Sequence, residues 1–363
     1  MGFLDHLLHS QPETYEKKKL FKIGKVLGSG TYGQVKQATI ISTGQTCAIK
    51  SIRKEVVKGH EELIKSEMNI LAMLDHPNIM KLLDWFESRD KYYMVFDLAT
   101  GGELFDRIIE MGKFTEKDGQ TLVKPIFGAI AYMHAKNVVH RDLKPENLLF
   151  RSQEPDSPLV IADFGISKTL ASSDETMSTL CGSFGYTAPE ILLRRGYDKS
   201  VDLYSMGVII YTMLCGYTPY PLDDTARFLD LARYGRVEFH KRYWSNISQE
   251  CKDFIKMLLD PNPTKRGTAE EVLHHPWFTQ GTATDHDLLA DVRENFDAKG
   301  TFRKAVRKVI MANVLKRAAS KSSSHDSDGW ASDDDDKFVD ASEHAQDDTS
   351  KITKSMADLT VKQ

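Results

Sequence analysis

Four polar side chains near the middle of the chain have the types and spacing needed to transfer a phosphoryl group. Asp142 can accept the proton of an attacking hydroxyl, and Lys144 supplies a fixed positive charge two residues later. Asn147 and Asp163 add two oxygen-bearing groups. Hard divalent cations such as Mg²⁺ choose oxygen ligands and share them with nucleotide phosphates. Together these groups predict the transfer of a phosphoryl group onto an alcohol.

A glycine-rich segment upstream supplies a place for the nucleotide phosphates. It comprises Leu27, Gly28, Ser29, Gly30, Thr31, Tyr32, Gly33, Gln34 and Val35. Such a pattern is a weak signal by itself, but glycines let a backbone lie close over phosphates where side chains would clash. An alternating strand pattern follows and ends at Lys50, which would hold the α and β phosphates. Glu67, in a stretch with helical apolar spacing, is the carboxylate expected to position Lys50.

These segments resemble the protein kinase family, residue for residue. The run from His140 to Asn147 is similar to the family's catalytic loop, and Ala162–Gly165 is similar to its metal-binding motif. The resemblance covers residues 20–279 and implies an α+β fold of two lobes. The small lobe, about 20–97, is mostly β with one key helix, and the larger lobe, about 102–279, is mainly helical. The cofactors implied are ATP and Mg²⁺.

The resemblance also assigns the walls of the ATP site. Phe96 stands at the family's gatekeeper position, before a hinge that runs to Gly101. Backbone groups of Asp97 and Ala99 would face the edge of the adenine ring. The apolar residues implied to sandwich its faces are Leu27, Val35, Ala48 and Leu149. By pattern alone each of them is equally an ordinary core residue.

Two charged residues indicate the substrate through the same resemblance. A lysine two residues after the catalytic Asp, here Lys144, resembles serine/threonine kinases, where it neutralises the γ-phosphate. Glu103, at the edge of the nucleotide site, matches a position that often binds an arginine three residues before the target hydroxyl. Protein substrates with basic residues before Ser or Thr are therefore expected.

Two further matches are architectural rather than catalytic. Glu190 would pair with Arg266, and Asp202 would bind backbone near the catalytic loop. Both roles come from the resemblance.

A loop hydroxyl is the expected regulatory site. Arg141, directly before Asp142, resembles the arginine of kinases that are ordered when an upstream kinase phosphorylates the loop. Thr179 sits at the matching position, where a phosphate would give Arg141 a charge-assisted, bidentate partner. Ser183 keeps the hydroxyl expected to touch Asp142, whereas Phe184 replaces the family's usual proline. The other candidate hydroxyls are Ser172, Ser173, Thr176 and Ser178.

A basic segment after the kinase-like region predicts a calmodulin target. Residues 302–317 form a helical candidate that carries several Lys and Arg and no acid. Phe302 and Val306 lie at about 0° and 40°, whereas Met311 and Leu315 lie near 180° and 220°, so apolar groups occupy both sides. A surface helix needs one stripe, but a target engulfed by two lobes needs both. A membrane-surface helix and a helix docked on the large lobe are the alternatives.

The position of this segment makes the chain resemble a fungal-type calcium/calmodulin-dependent protein kinase of the type I group. The resemblance implies that residues 280–317 are an autoinhibitory and calmodulin-binding segment. The part from about 285 to 317 would fold back on the large lobe and block the peptide groove until calcium-loaded calmodulin extracts it. An active kinase whose basic helix binds another partner is an alternative. A pseudokinase scaffold is disfavoured because the residues that such scaffolds lose are present: Lys50, Asp142, Asn147 and Asp163.

Composition sets the remaining expectations. The chain has 363 residues, 41% of them hydrophobic, and a formal net charge of −4. Its 4 cysteines are scattered, which is typical of reduced thiols in a cytoplasmic or nuclear protein. We expect neither a nucleic-acid nor a membrane partner, and members of such families are usually monomers. Residues 1–19 are read as a leader, and 318–363 as an acidic, Ser- and Asp-rich disordered tail.

Overall fold

A five-stranded antiparallel sheet is the base of the small lobe in the computed structural model, which describes residues 11–30, 33–164, 184–193, 196–222 and 225–296. The strand order is β1-β2-β3-β5-β4. The strands are β1 (Phe21–Gly30), β2 (Gly33–Ile40), β3 (Thr46–Arg53), β4 (Leu82–Glu87) and β5 (Lys91–Asp97). All described residues belong to one compact unit, Met1–Arg303.

Alternation along β3 decides which of its side chains reach the site. Cys47 and Ile49 are buried in a small cluster with Phe86 on one face of the sheet. Because successive side chains of a strand point to opposite faces, Ala48 and Lys50 point to the other face.

Helix α1, Glu61–Ala72, packs against the sheet through one apolar stripe. Ile64, Met68 and Leu71 recur at helical spacing and are buried in the main core. This packing fixes the rotation of the helix and the position of Glu67, whose side chain is 20% exposed. Two 3₁₀ helices, Glu13–Leu20 and Lys54–Val57, complete the described part of the small lobe.

Helices dominate the large lobe, as the sequence predicts. The α-helices are Leu104–Glu110, Glu116–Ala135, Pro189–Leu192, Ser200–Cys215, Thr225–Arg233, Lys241–Trp244, Gln249–Leu258 and Pro276–Thr279, with a further helix over 289–296. The 3₁₀ turns are Pro145–Asn147, Phe184–Tyr186, Pro263–Arg266 and Glu271–His274. Strands β6 (Leu148–Phe150) and β7 (Leu159–Ile161) form a hairpin beside the site. Among the described helices, none has the length and apolar character to cross a bilayer.

The helix Ser200–Cys215 is buried on every side. A helix that is apolar all round belongs in a core, so the charged Asp202 within it needs partners there. The helix ends at Gly216, whose φ of 80° is left-handed and whose N–H donates to the Thr212 carbonyl.

A second buried carboxylate, that of Glu116, joins three parts of the large lobe. Its oxygens accept hydrogen bonds from the N–H of Ser248 at 2.9 Å, Trp277 Nε1 at 2.9 Å and the N–H of Thr284 at 3.1 Å. The Glu116 side chain is fully buried. The end of the kinase-like region and the segment that follows it therefore meet at this one residue.

Replacing Glu116 with Gln should lower the melting temperature of the full chain. The amide presents a nitrogen donor where the structure needs acceptors, so about 2 kcal/mol of stability is lost, equivalent to a melting temperature lower by about 5 °C. Differential scanning calorimetry measures the change. The matched control is Glu110→Gln, at an exposed position, which should cost less than about 0.5 kcal/mol. Equal effects of the two substitutions would contradict the anchoring role of Glu116.

Candidate active site

Asp202 fixes the loop that carries the predicted catalytic residues. Its two carboxylate oxygens accept hydrogen bonds from the N–H groups of His140 and Arg141, each at 2.9 Å. His134 Nε2 lies 2.9 Å from the same carboxylate. Arg141 adopts a left-handed φ of 66°, a strained value for a residue with a side chain. The expectation that Asp202 binds backbone near this loop is confirmed.

The three predicted catalytic residues lie together. Lys144 Nζ donates to Asp142 Oδ2 at 2.9 Å, and Asn147 Nδ2 donates to the Asp142 carbonyl at 2.7 Å. The N–H of Ala162 donates to the Asn147 carbonyl at 2.8 Å, which ties the residue before Asp163 to the same loop. A carboxylate for the hydroxyl proton therefore lies beside a cation suited to a phosphate.

Lys50 has a different partner from the one expected. Its amine donates to Asp163 Oδ1, and Glu67 Oε1 instead lies 3.6 Å from Arg141 Nη1. That Glu67 positions Lys50 therefore stays a prediction. These two carboxylates and two cations lie in a site that also holds Asp142 and Lys144, and Coulomb attraction has no strong direction. The sequence shows the four charges but cannot decide which opposite charges meet.

The donor set at Asp163 and Asn147 fits a hard divalent cation. The Asp163 side chain is 47% exposed, so its carboxylate is accessible. Asn147 uses its amide nitrogen on the Asp142 carbonyl, which leaves the amide oxygen as the atom that can bind a metal ion. Oxygen ligands of these two kinds suit Mg²⁺ and similar ions.

Glycine is suited to different positions of the glycine-rich segment for different structural reasons. A Cβ on Gly33 would lie 1.7 Å from the Ser51 carbonyl oxygen, so glycine is required there by the close approach of β3. Gly28 has open space around its position, as expected of a residue over which phosphates could lie. Ser29 and Gly30 are paired with β2 at the end of β1. Thr31 and Tyr32 lie outside the described residues.

The predicted apolar walls of the nucleotide site come from both lobes. Ala99 and Leu149 pack on one small cluster of Met80, Val160 and Ala162. Leu27, Val35 and Ala48 lie on the adjoining strands β1, β2 and β3. Phe96 is paired with Ala48 across β3 and β5.

The hinge is held against β6. The N–H of Gly101 donates to the Phe150 carbonyl at 2.9 Å, and a Cβ on Gly101 would lie 2.0 Å from the Ser152 carbonyl oxygen. The N–H of Asp97 donates to the Lys81 carbonyl at 3.0 Å, so an adenine contact from Asp97 must use its carbonyl. Glu103 forms an isolated bridge to Leu149, which places it at the edge of the site.

The predicted architectural pair is confirmed. Arg266 Nη1 and Nη2 donate to the two oxygens of Glu190 at 2.6 and 2.9 Å, a bidentate pair in which Arg266 is fully buried.

Sequence reasoning missed His134. The residue follows Ile126 and Ile130 at a spacing of four in the helix Glu116–Ala135, on its buried stripe. The sequence signal for His134 was a polar residue at a helix position where the spacing predicts an apolar one.

Several predicted residues cannot be placed because they lie outside the described residues: Thr179, Ser183, Phe302, Val306, Met311 and Leu315. The backbone of Phe184 lies in a 3₁₀ turn.

His140 is buried beneath the loop as a neutral imidazole. Burial lowers the pKa of His140 below its ordinary value and outweighs the opposing charges of Asp202, Asp142 and Asp163. Its Nδ1 accepts the N–H of Asp142 at 3.3 Å, while Nε2 lies 3.1 Å from the Ala162 carbonyl. One acceptor and one donor are what a neutral ring offers.

Stability should therefore fall as the pH drops below about 6.5, where the unfolded histidine gains a proton that folded His140 does not. The loss approaches about 1.4 kcal/mol per pH unit for this group. Urea unfolding of the full chain between pH 7.5 and 5 measures the slope. His140→Gln, which cannot titrate, should show a shallower slope. An unchanged slope in this variant would contradict the neutral burial of His140.

Comparison with known proteins agrees with this geometry. Residues 21–278 match the protein kinase domain. The chain is 47% identical over 309 residues to a calcium/calmodulin-dependent protein kinase of Emericella nidulans, covering 85% of this chain and 74% of the relative. It is 48% identical over 316 residues to one of Metarhizium anisopliae (87% and 82% covered) and 41% identical over 315 residues to the type I enzyme of Schizosaccharomyces pombe (85% and 94%). The chain therefore belongs to the protein kinase family and, within it, to the calcium/calmodulin-dependent protein kinases, which are serine/threonine kinases.

Proposed function

We propose that this kinase is held inactive by the segment that follows its large lobe and is activated when calcium-loaded calmodulin removes that segment. The observation that carries the proposal is the packing of residues 284–296. Leu288, Leu289 and Val292 are buried in the main core. The sequence continues from there into the basic residues 302–317.

The docked segment contacts the helix that begins beside the nucleotide site. Arg293 Nη2 donates to the carbonyls of Ile109 and Met111, at 2.6 and 2.9 Å, at the C-terminal end of the helix Leu104–Glu110. A cation at the C-terminus of a helix satisfies its last carbonyls and its dipole. Phe296 stacks on Phe105 with ring centroids 5.1 Å apart. Glu103, the N-cap of the same helix, is at the other end.

Further contacts fix the segment to the rest of the large lobe. Asp287 Oδ1 accepts the N–H of Phe114 at 3.1 Å. Asn295 Nδ2 donates to the Cys215 carbonyl at 2.9 Å. Arg242 and Glu294 form an exposed pair at 2.8 Å, which contributes little by itself. Most of the holding energy therefore comes from the buried apolar groups and the backbone hydrogen bonds.

Calmodulin is proposed as the ligand that releases the segment. The names of the relatives describe them as calcium/calmodulin-dependent. Phe302, Val306, Met311 and Leu315 are the proposed anchors, on both sides of a basic helix. A ligand that binds the segment only when it is undocked shifts the equilibrium toward the active state.

The charge arrangement in the cleft supports a second control point. Glu67 is paired with Arg141 and Lys50 with Asp163. We propose that a phosphate on Thr179, added by an upstream kinase, attracts Arg141 away from Glu67. Glu67 can then pair with Lys50, and Asp163 becomes available to a metal ion.

A protein kinase domain uses ATP and a divalent metal ion, and we assign the metal as Mg²⁺. Asn147 and Asp163 would hold it, and it would neutralise phosphate charge when bound. Lys144 would stabilise the transferred phosphoryl group, and Asp142 would accept the hydroxyl proton. Glu103 would bind an arginine of a protein substrate. A cytoplasmic or nuclear location remains a prediction from the sequence, and a monomeric state remains a prediction from the family resemblance.

The full-length kinase should phosphorylate a serine peptide only when calcium and calmodulin are both present. Purified protein is assayed with calcium, with calmodulin, with both, and with both plus a chelator.

The Asp142→Asn variant should lose at least about 10²-fold in rate because it lacks the proton acceptor. Thr179→Ala should lower the activated rate, and a peptide without arginine three residues before the serine should be a poorer substrate. If the parent chain is equally active under all four calcium and calmodulin conditions, the basic helix binds another partner.

Two truncations locate the inhibitory residues. A chain ending at Thr284 keeps the hydrogen bonds to Glu116 but lacks the docked helix, and it should be active without calcium. If it is as inactive as the full chain, autoinhibition by this segment is wrong. A chain ending at Phe296 separates the two halves: low activity assigns the block to residues 285–296, and high activity assigns it to residues 297–317.

A further inference from the structure

Residues 11–19, the described part of the N-terminal leader, cover the outer edge of strand β4. β4 is the last strand of the small-lobe sheet and pairs with β5 on one side. Residues two apart in a strand direct their backbone groups to the same edge, and an edge left unpaired is open to contact with another chain. The Trp85 carbonyl and the Glu87 N–H of β4 have partners in the leader, and so does the N–H of Arg89 in the turn after β4.

The leader satisfies that edge with side chains placed three residues apart. Gln11 Oε1 accepts the N–H of Arg89 at 2.9 Å, and Thr14 Oγ1 accepts the N–H of Glu87 at 3.2 Å. Lys17 Nζ donates to the Trp85 carbonyl at 3.3 Å and to Asp84 Oδ1 at 2.6 Å.

The spacing of the two elements explains this match. Thr14 and Lys17 lie one turn apart on the 3₁₀ helix Glu13–Leu20, and Gln11 lies before Pro12, the N-cap of that helix. One 3₁₀ turn of three residues rises about 6 Å, and two strand residues span about 6.6 Å. Thr14 and Lys17 therefore meet Glu87 and Trp85, which lie two residues apart in β4.

The same two β4 residues hold helix α1 with their side chains. Trp85 Nε1 donates to Asn69 Oδ1 at 3.2 Å. Glu87 Oε1 lies 3.2 Å from Lys65 Nζ, and the Glu87 side chain is 13% exposed. Lys65 and Asn69 lie two residues before and two residues after Glu67. Strand β4 thus lies between the leader and the helix that carries a carboxylate of the catalytic cleft.

We propose that Gln11, Thr14 and Lys17 are positioning residues for the kinase reaction. They hold β4 and the turn after it by backbone groups, and β4 contacts α1 through the Trp85 and Glu87 side chains. The leader therefore adds a second restraint to Glu67, whose position the buried stripe of α1 sets. The role rests on the proposed pairing of Glu67 with Lys50 in the activated kinase.

The test combines hydrogen exchange with kinetics on the full-length chain. The double variant Thr14→Val and Lys17→Met removes the hydroxyl that accepts the Glu87 N–H and the ammonium that donates to the Trp85 carbonyl. Both substitutions keep the side-chain sizes similar. Exchange of peptides from Glu61–Ala72 should become about five-fold faster, the scale expected from losing one or two hydrogen bonds. The KM for ATP of the activated enzyme should rise by a similar factor, while the KM for peptide stays the same.

Two matched variants make the result decisive. Thr14→Ser with Lys17→Arg keeps the hydrogen-bonding groups and should behave as the parent chain. Lys19→Met, on the same 3₁₀ helix, removes only an exposed pair with Glu16 and should leave exchange in α1 unchanged. The proposal is overturned if the Val/Met variant exchanges in α1 at the rate of Lys19→Met. It is also overturned if exchange rises equally in β1, β2 and β3, because that would be a general loss of stability.

Discussion

The catalytic loop depends on one buried carboxylate, Asp202. A carboxylate that is taken out of water without partners is very costly, so its partners in a fully buried helix are strongly held. Those partners are the N–H groups of His140 and Arg141 and the ring of His134. They fix the backbone immediately before Asp142, including the left-handed turn at Arg141. The direction of Asp142, and through it of Lys144 and Asn147, follows from that bond set.

Glu116 is a second buried carboxylate of the large lobe, and it too needs hydrogen-bond donors around it. Both carboxylates accept hydrogen bonds from backbone N–H groups, whose positions are fixed by the chain, whereas the Glu190–Arg266 pair joins two side chains. Asp202 fixes the loop of the predicted catalytic residues, whereas Glu116 fixes the start of the segment that we propose controls the kinase. The two roles share a cause: a desolvated charge accepts only a small number of backbone arrangements.

The charges in the cleft behave differently because they are partly exposed. Lys50 pairs with Asp163 and Glu67 with Arg141, whereas we propose that Glu67 pairs with Lys50 in the activated kinase. Pairs of this kind are weakly held, so a new phosphate or a bound nucleotide can change them. A buried carboxylate holds the catalytic loop rigidly, whereas the charged pairs in the cleft beside it can exchange partners. This difference is a physical basis for a kinase whose fold stays fixed while its activity is regulated.

The sequence by itself determined the family and the two-lobed fold, because the short motifs that carry the resemblance to protein kinases are local properties. It predicts Asp142, Lys144 and Asn147 as catalytic residues and Asn147 and Asp163 as metal ligands. It also indicated the Glu190–Arg266 pair and the role of Asp202. The tertiary structure alone decided that Glu67 meets Arg141, that Glu116 holds Thr284, and that Gln11, Thr14 and Lys17 cover β4. These contacts join residues far apart in the chain. Which opposite charges or edge groups meet depends on how the elements pack, and no local pattern in the sequence records it.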